Sequence, residues 1–413
     1  MKATVDSNVL ITALKPFHGL KTGAGKNLVE IIAHDNSLEL IGAISSTTTP
    51  NGFIYAAIPA TVEETGKATV NVKKLKEFMT VASDTVTFQR EKQTLHFMPA
   101  PGYDYTLDAA VMIESPAKHD PHFASLIDGK DFCNAFKKIN YKSRYDNDLA
   151  RIVNINITGE LVKMQYTDKA FLGKSALAVD KNESDLNVNI DVEVIRTIYE
   201  IKPLAVGIGI DDAGKIHFSA GDYTVIAAPD TVTYPDTSKL LAERESDTAL
   251  VDAAEWKKAI QLIGILEPEK VFIDFQDGQI TLSCKSYYGK GITSIDATVY
   301  SNTRIVMDCR ILKASFAGIG NGEIYLNADS MLTACDNDGT DLVITSRRET
   351  FVLGEDYIFS EGSNVITDFT LIKREGDRAI FESDSACKKL DCTITTVNGI
   401  EIARCENWTA AAA

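Results

Sequence analysis

The chain has little that would place it in a membrane or brace it with disulfide bonds. No run of 18 apolar residues occurs among its 413 residues, so no helix is expected to span a bilayer. Residues 1–6 lack the basic stretch and apolar core that open a signal peptide. The seven cysteines are odd in number and scattered, whereas a disulfide framework is even and dense. We therefore expect a cytoplasmic protein with reduced thiols.

The chain also lacks the glycine-rich loop that binds nucleotide phosphates. Gly173-Lys174-Ser175 has the end of such a loop, but Asp168 stands five positions before Gly173, where the loop needs a glycine. Without that glycine the backbone amides cannot close around a phosphate. We expect no nucleotide cofactor.

Metal-binding motifs are incomplete. A tetrahedral zinc site needs four ligands, but the end of the chain offers only three cysteines and no histidine follows His217. Those cysteines are Cys387, Cys392 and Cys405. Asp336-Asn337-Asp338-Gly339 is similar to the start of a calcium loop, but it lacks the final glutamate and lies between two strand-like runs. The sequence therefore predicts a hairpin tip there, no metal, no cofactor and no catalytic residue, so we expect that the chain is not an enzyme.

What the chain does contain is a threefold repeat. Asp104-Tyr105-Thr106 recurs 118 residues later as Asp222-Tyr223-Thr224, and a weaker copy, Asp341-Leu342-Val343, lies 119 residues further on. Upstream, Leu95-His96-Phe97 recurs as Ile216-His217-Phe218 at a shift of 121. Each copy sits in an alternating apolar pattern typical of a half-buried strand. Features that keep one period and one order indicate a triplicated unit of about 120 residues.

Each third also has two short amphipathic helical segments and a polar hairpin turn. We expect first helices at residues 9–14, 132–139 and 256–262, second helices at 73–81, 194–201 and 311–316, and turns at 34–36, 158–159 and 276–278. The predicted fold class is α+β, with two short helices packed on an antiparallel sheet in each repeat. The predicted domains are residues 1–121, 122–244 and 245–348, followed by a β-rich extension of unknown role at 349–413.

Positive charge is concentrated in the predicted helices. The net charge is −16, yet six windows around the helices carry +8, which leaves −24 for the rest of the chain. A basic helical face could hold duplex DNA without reading its sequence, while acidic sheets would repel DNA from the other side. The alternative is that lysines simply favour exposed helix faces. The candidate DNA-binding residues are Lys15, Lys21, Lys73, Lys74, Lys76, Lys130, Lys137, Lys138, Lys142, Arg144, Arg196, Lys202, Lys257, Lys258, Arg310 and Lys313.

These features together resemble a known family. Three repeats of about 120 residues, opening with Met1-Lys2-Ala3-Thr4-Val5 and an early leucine-rich helix, are similar to the bacterial β sliding clamp, the processivity subunit of DNA polymerase III. The resemblance covers roughly residues 1–348. It implies the DNA-clamp fold and a homodimer of two three-domain subunits that close head-to-tail into a ring. It also implies that twelve helices line a hole for double-stranded DNA, with the sheets outside.

The same resemblance implies a cleft for a linear peptide of the polymerase and of the clamp loader. Residues 167–172 are similar to one family segment of this cleft, Tyr234-Pro235-Asp236 to a second, and 343–348 to the family's chain end. The cleft residues carried over are Thr167, Lys169, Phe171, Leu172, Pro235, Leu240, Val343 and Thr345. The family's Gly-His-Arg core is absent here, and the chain runs past the usual end. Both departures suit a divergent clamp, such as a phage-encoded one acting in the host cytoplasm with its own polymerase.

Two other functions stay open on the sequence alone. A β-rich structural or assembly protein, such as a virion component, could use the triplication to build a large sheet, but it would have no reason to segregate charge. A carbohydrate-active or ligand-binding β protein would need paired carboxylates near exposed aromatic residues, and the chain has only two tryptophans, Trp256 and Trp408. A closed ring seen by negative-stain imaging would separate the clamp from both.

Overall fold

The structure is a computed structural model of the chain. It describes residues 1–17, 28–44, 50–91, 94–108, 121–141, 143, 147–237, 247–328, 331–337, 339–345, 356–361, 364–375, 377–383, 388–397, 400–405 and 408–411. Within these ranges one order of elements occurs three times: a strand, a helix, five strands, a second helix and three strands. The triplication predicted from the sequence is therefore confirmed, and so are all six predicted helices.

The first repeat consists of β1 (Lys2–Asp6), α1 (Ser7–Leu14), β2 (Leu28–Ala33), β3 (Ser37–Ile44), β4 (Gly52–Pro59), β5 (Thr61–Glu64), β6 (Gly66–Asn71), α2 (Val72–Met79), β7 (Thr85–Glu91), β8 (Thr94–Met98) and β9 (Tyr105–Asp108). The second consists of β10 (His122–Asp128), α3 (Gly129–Ile139), β11 (Ile152–Thr158), β12 (Leu161–Thr167), β13 (Phe171–Ala178), β14 (Lys181–Asn182), β15 (Leu186–Asp191), α4 (Val192–Ile201), β16 (Ala205–Ile210), β17 (Ile216–Ala220) and β18 (Tyr223–Ala227).

The third repeat consists of β19 (Ala249–Asp252), α5 (Ala253–Gly264), β20 (Lys270–Gln276), β21 (Gln279–Ser286), β22 (Gly289–Asp296), β23 (Thr298–Val299), β24 (Thr303–Asp308), α6 (Cys309–Ser315), β25 (Glu323–Ala328), β26 (Met331–Asp336) and β27 (Asp341–Thr345). Short 3-10 helices occupy Lys15–Phe17 and Asp148–Arg151. None of the described helices is long and apolar enough to cross a bilayer.

Each of the six described α-helices begins at the residue after a strand ends, and the last strand residue caps the helix. The cap is always Asp or Asn, and its side chain accepts a hydrogen bond from a backbone amide two or three residues ahead. Such a cap satisfies an amide that has no partner inside the helix, which stabilises the helix by about 1 kcal/mol. The caps are Asp6, Asn71, Asp128, Asp191, Asp252 and Asp308.

The chain forms two compact units, and these do not follow the predicted domain limits, which stay a prediction. The first unit contains Met1–Lys137, Ser143–Asp168 and Ser175–Pro235. Its antiparallel sheets have the strand orders β5-β1-β7-β8-β9 and β14-β10-β16-β17-β18-β4-β3-β2-β6, and β15, β11 and β12 pair in that order. In the larger sheet β18 pairs with β4, so the last strand of the second repeat joins the first repeat.

The second unit contains Lys138–Lys142, Lys169–Lys174 and Asp236–Ala413. The first four residues of β13 pair with β27, which continues through β26, β25, β19 and β23, all antiparallel. A separate sheet has the order β22-β21-β20-β24. Trp256 of α5 is fully buried and meets the edge of Phe316, with ring centroids 5.5 Å apart. The second unit therefore also has helices packed on sheets.

The β-rich extension predicted at the end of the chain is a closed barrel. Its strands pair in sequence order and the last returns to the first, and the barrel core includes Phe359, Phe369 and Phe381. Closure leaves no edge strand, and the alternation of buried and exposed residues along β30 and β31 fits a packed interior. The six strands are β28 (Asp356–Glu361), β29 (Asn364–Glu375), β30 (Arg378–Ser383), β31 (Lys388–Val397), β32 (Ile400–Cys405) and β33 (Trp408–Ala411).

The predicted hairpin turns are all present. Residues 34–36 join β2 to β3, 159–160 join β11 to β12, and Asp277-Gly278 joins β20 to β21. Asp277 and Gly278 have φ of 47° and 80°, as a two-residue type I′ turn requires. The turn after Asp336 joins β26 to β27, which confirms that the calcium-like segment is a hairpin tip.

Another hairpin, between β16 and β17, holds a buried charged residue. The carboxylate of Asp211 lies 2.9 Å from Nε2 of His217 and accepts the backbone amides of Ala213 and Lys215. Burial alone would raise the pKa of Asp211, but these hydrogen bonds outweigh it and hold the pKa below its ordinary value. Since the charged form is favoured by folding, this stabilisation is lost as the pH falls through the lowered pKa.

Candidate functional site

Exposed basic residues lie on or directly after all six described helices. These residues lie directly after α1, on α2, at both ends of α3, directly after α4, on α5 and on α6. These eight are Lys15, Lys73, Lys130, Lys137, Lys202, Lys258, Arg310 and Lys313. Three further candidates, Lys21, Lys142 and Arg144, lie outside the described residues. The eight form the basic helix set discussed below.

Four other candidates have their charge engaged within the protein. Lys74 is 2.8 Å from Glu77, and Arg196 is 2.5 Å from Glu193, both one helical turn away. The ammonium of Lys257 donates to the carbonyls of Ile319 and Gly320 after α6. Lys76 donates to the carbonyl of Lys15 at 3.3 Å, and its burial lowers its pKa. Their neighbours therefore compete with any phosphate for these cations.

Lys138 is the clearest departure from the sequence prediction. Its Nζ lies 3.1 Å from Oδ2 of Asp336, and the two side chains are only 11% and 3% exposed. Asp336 also accepts the backbone amide of Thr340 in the hairpin between β26 and β27. A buried carboxylate of this kind needs a cation beside it. The charge of Lys138 is therefore structural, which corrects its assignment to the DNA-binding set.

On the first unit, the predicted cleft residues adjoin a polar cluster around Tyr166. The hydroxyl of Tyr166 donates to the carbonyl of Ala150, and burial, with the Asp168 carboxylate beside it, raises the pKa of Tyr166 to about 12. Asp168 is buried and accepts a 2.6 Å hydrogen bond from Ser143. Tyr234 lies beside Tyr166, and burial raises its pKa. The fold thus brings the segments around residues 166–168 and 234–235 together.

Tyr234 differs from its neighbours in its hydrogen bonding. Its hydroxyl oxygen is buried and has no hydrogen-bond partner among the described residues. The next residue, Pro235, is exposed, while Thr167 is buried. Lys169 is exposed and has a φ of 77° in the tight turn between β12 and β13. Of the carried-over residues whose side chains the structure describes, Lys169 and Pro235 are exposed.

The apolar residues predicted to line the cleft are covered instead. Phe171, Leu172 and Val343 are 2%, 3% and 3% exposed. Phe171 and Leu172 pair in register with Ile344 and Val343, and the ring of Phe171 lies 4.9 Å from that of Tyr141. These side chains form a sheet core rather than an open wall. A match between segments does not report which strand faces are covered, so the place of these residues in a peptide cleft stays a prediction.

Two predicted cleft residues cannot be described. Leu240 lies outside the described residues, and so does the side chain of Thr345. Sequence reasoning missed Tyr166, Tyr234 and Ser143, although Tyr234 directly precedes the proline that it singled out. Gly173-Lys174-Ser175 lies within β13, so the structure forms no phosphate loop there. No cluster of three or more metal-ligating side chains occurs within the described ranges.

Solved structures that are similar to this chain include bacterial sliding clamps. A putative DNA polymerase III beta subunit from Eubacterium rectale matches with a TM-score of 0.73 at 15% identity, over 84% of this chain and 99% of that chain. The DNA polymerase III subunit beta of Pseudomonas aeruginosa matches with a TM-score of 0.72 at 16% identity, over 84% and 100%. The sliding clamp of Bacillus subtilis matches with a TM-score of 0.72 at 17% identity, over 85% and 100%.

No protein-family profile and no curated protein sequence matches the chain. The structural matches show that the chain has the DNA-clamp fold that the resemblance implied.

The neighbouring lysines at the end of α3 give a direct test of the assignment of Lys138. Lys138→Ala leaves the Asp336 carboxylate buried without its cation, so we expect a loss of about 3 kcal/mol in the free energy of unfolding. Lys137→Ala removes an exposed charge one residue away and should change stability by less than about 0.5 kcal/mol. Urea denaturation of both variants measures the difference. Equal stability of the two variants would mean that Asp336 does not need Lys138, and Lys138 would again be a candidate for DNA binding.

Proposed function

We propose that this chain is a DNA sliding clamp, a processivity factor that encircles duplex DNA and tethers the replicative polymerase without catalysing a reaction. The observation that carries the proposal is the clamp fold itself, matched over nearly the whole length of three bacterial clamps. The basic helix set supports it, because the chain as a whole carries −16 yet these helices present cations. Attraction to phosphates without base contacts would hold DNA and still allow sliding.

Internal strand pairing supports closure by a second copy of the chain. The fourth strand of the first repeat, β4, pairs with β18, the last strand of the second. In the same way β13 pairs with β27, the last strand of the third repeat. The one remaining pair of this pattern is β22 with β9. Both are edge strands among the described residues, so each is available to the corresponding edge of another copy.

Both edges carry exposed apolar side chains. Beside β22, Tyr287 is 97% exposed and Ile292 is 57% exposed, and Ile265 after α5 is 70% exposed. Beside β9, Tyr103 is 59% exposed and Val81 after α2 is 68% exposed. Exposed apolar groups at an unpaired strand mark an interaction surface. A head-to-tail dimer would cover both edges at once and close the ring.

Partner binding is proposed at the surface around Tyr234 and Pro235. A linear segment of the polymerase or of the clamp loader would lie against Pro235, which is exposed and directly follows Tyr234, a neighbour of Tyr166. We leave Phe171, Leu172 and Val343 out of the contact surface because the sheet already covers them. This surface is smaller than the sequence predicted.

Ring closure is tested first. Negative-stain imaging should show a closed ring with a hole that admits duplex DNA, and sedimentation should give twice the mass of one chain. Ile292→Asp places a charge on the edge of β22 and should yield monomers at micromolar concentration. Ile372→Asp, on an exposed position of the barrel, should leave the dimer intact. A stable monomer of the unaltered protein at that concentration would contradict the proposal.

The DNA contact is tested through its salt dependence. Each phosphate contact removed should shallow the log–log salt slope by about 0.9, so Lys73→Ala, Lys130→Ala and Lys137→Ala together should reduce it by about 2.7. Fluorescence anisotropy with a short duplex across a range of sodium chloride concentrations measures the slope. A matched triple variant with Lys2→Ala, Lys163→Ala and Lys181→Ala removes the same charge from strands. Equal slopes in the two triple variants would mean that the helices do not face DNA.

The partner surface is tested with the replicative polymerase of the source organism. Pro235→Arg introduces a long charged side chain at the exposed contact, so we expect at least a tenfold loss of polymerase stimulation while the ring still forms. Pro50→Arg makes the same change at another exposed proline and should leave stimulation unchanged. Processive primer extension on a circular template gives the readout. Full stimulation by the Pro235→Arg ring would move the partner site elsewhere.

A further inference from the structure

Two cysteines face each other across neighbouring strands of the barrel. Thr393 of β31 pairs with Arg404 of β32, so the next residues along the ladder, Cys392 and Cys405, stand directly opposite each other. Cys392 is 1% exposed, and Cys405 packs against the same core cluster. The Cys405 thiol is close enough to Cys392 to help raise its pKa. Both cysteines are free thiols in this structure.

This placement suits a disulfide bond. Directly opposite residues of antiparallel strands have Cα atoms about 4.5 or 5.5 Å apart, and disulfides span Cα separations of about 4.4–6.8 Å. Side chains opposite each other point to the same face of the sheet, so no backbone movement is needed to bring the sulfur atoms together. Cys405 is half-buried whereas Cys392 is buried, which gives an oxidant access to one sulfur before the other.

We propose that Cys392 and Cys405 are a redox modification site, in which a peroxide oxidises the two thiols to a disulfide. The Cys405 sulfur attacks one peroxide oxygen, the O–O bond breaks, and a sulfenic acid and one water form. The Cys392 sulfur then attacks the sulfenic sulfur, and its thiol proton leaves with the hydroxide as a second water. Two thiols are oxidised and one peroxide is reduced to two waters.

The environment of Cys392 fits the second role. Burial, with the Cys405 thiol next to it, raises the pKa of Cys392 to about 12, so its thiol is protonated near neutral pH. A protonated thiol reacts poorly with peroxide. The position of Cys392 opposite Cys405, rather than its pKa, suits it to the second step, in which it loses its proton as it attacks the sulfenic sulfur. The bond would join β31 to β32 and close a short loop, which restricts the unfolded barrel. Oxidation would therefore stabilise the extension and need not alter the three repeats.

The test uses the full-length protein treated with hydrogen peroxide at neutral pH, then alkylated and mapped by mass spectrometry without reduction. We expect a Cys392–Cys405 disulfide that a thiol reductant reverses. The barrel transition, followed by calorimetry, should rise by about 10 °C on oxidation. Cys335→Ser, which removes a partly exposed thiol of β26, should leave the yield of the disulfide unchanged.

Two outcomes would overturn the proposal. One is Cys405 converted to sulfinic or sulfonic acid while Cys392 is still alkylated, because the resolving step would then not occur. The other is a disulfide that joins either residue to a different cysteine. Cys405→Ser gives a second check, since Cys392 should stay reduced in that variant under the same peroxide treatment. Rapid oxidation of Cys392 there would assign the first attack to the buried thiol and contradict the mechanism.

Discussion

The fold depends on one local interaction, the hydrogen bond that a backbone amide in the first turn of a helix donates to the side chain of a strand-ending Asp or Asn. The capping residue keeps an extended backbone, as Asp6 does with φ −64° and ψ 131°, so it can end a strand and start a helix without a loop. With no loop between them, each helix leaves its strand at a defined point. Because the same junction occurs six times, the helices of all three repeats lie at equivalent positions along their strands. The basic residues on these helices therefore also occur at equivalent places in the three repeats.

Much of this fold follows from the sequence. The three repeats, the six helices and the hairpin turns could be predicted because apolar periodicity and turn chemistry are local properties. The caps could also have been found, since an Asp or Asn precedes every helical segment. The pairing of Lys138 with Asp336 could not, because these residues are far apart in sequence and exposed-helix reasoning assigns every lysine to solvent. The burial of Phe171 and Leu172 was missed for the same reason: their strand pairs with β27, more than 160 residues later.

The extension after the third repeat ends in a barrel that offers no free strand edge to the sheets before it. A further open strand after β27 could pair with another edge and compete with the contacts of β9 and β22. The barrel satisfies its own strand edges by closing β28 on β33, so it adds a core of its own without offering an edge for pairing. An extension of this kind leaves the strand edges of β9 and β22 available for the proposed pairing with another copy of the chain.

The strand pairs between repeats also set how the proposed ring would respond to dilution. The pairs β4 with β18 and β13 with β27 form within one chain, so their effective concentration is fixed by the covalent connection and is unaffected by the amount of protein. The pair β22 with β9 would form between copies, and its occupancy would follow mass action. The pair between copies would therefore separate on dilution, whereas the two pairs within a chain would not. A protein that must open to admit a circular DNA would then open where the polypeptide is not continuous.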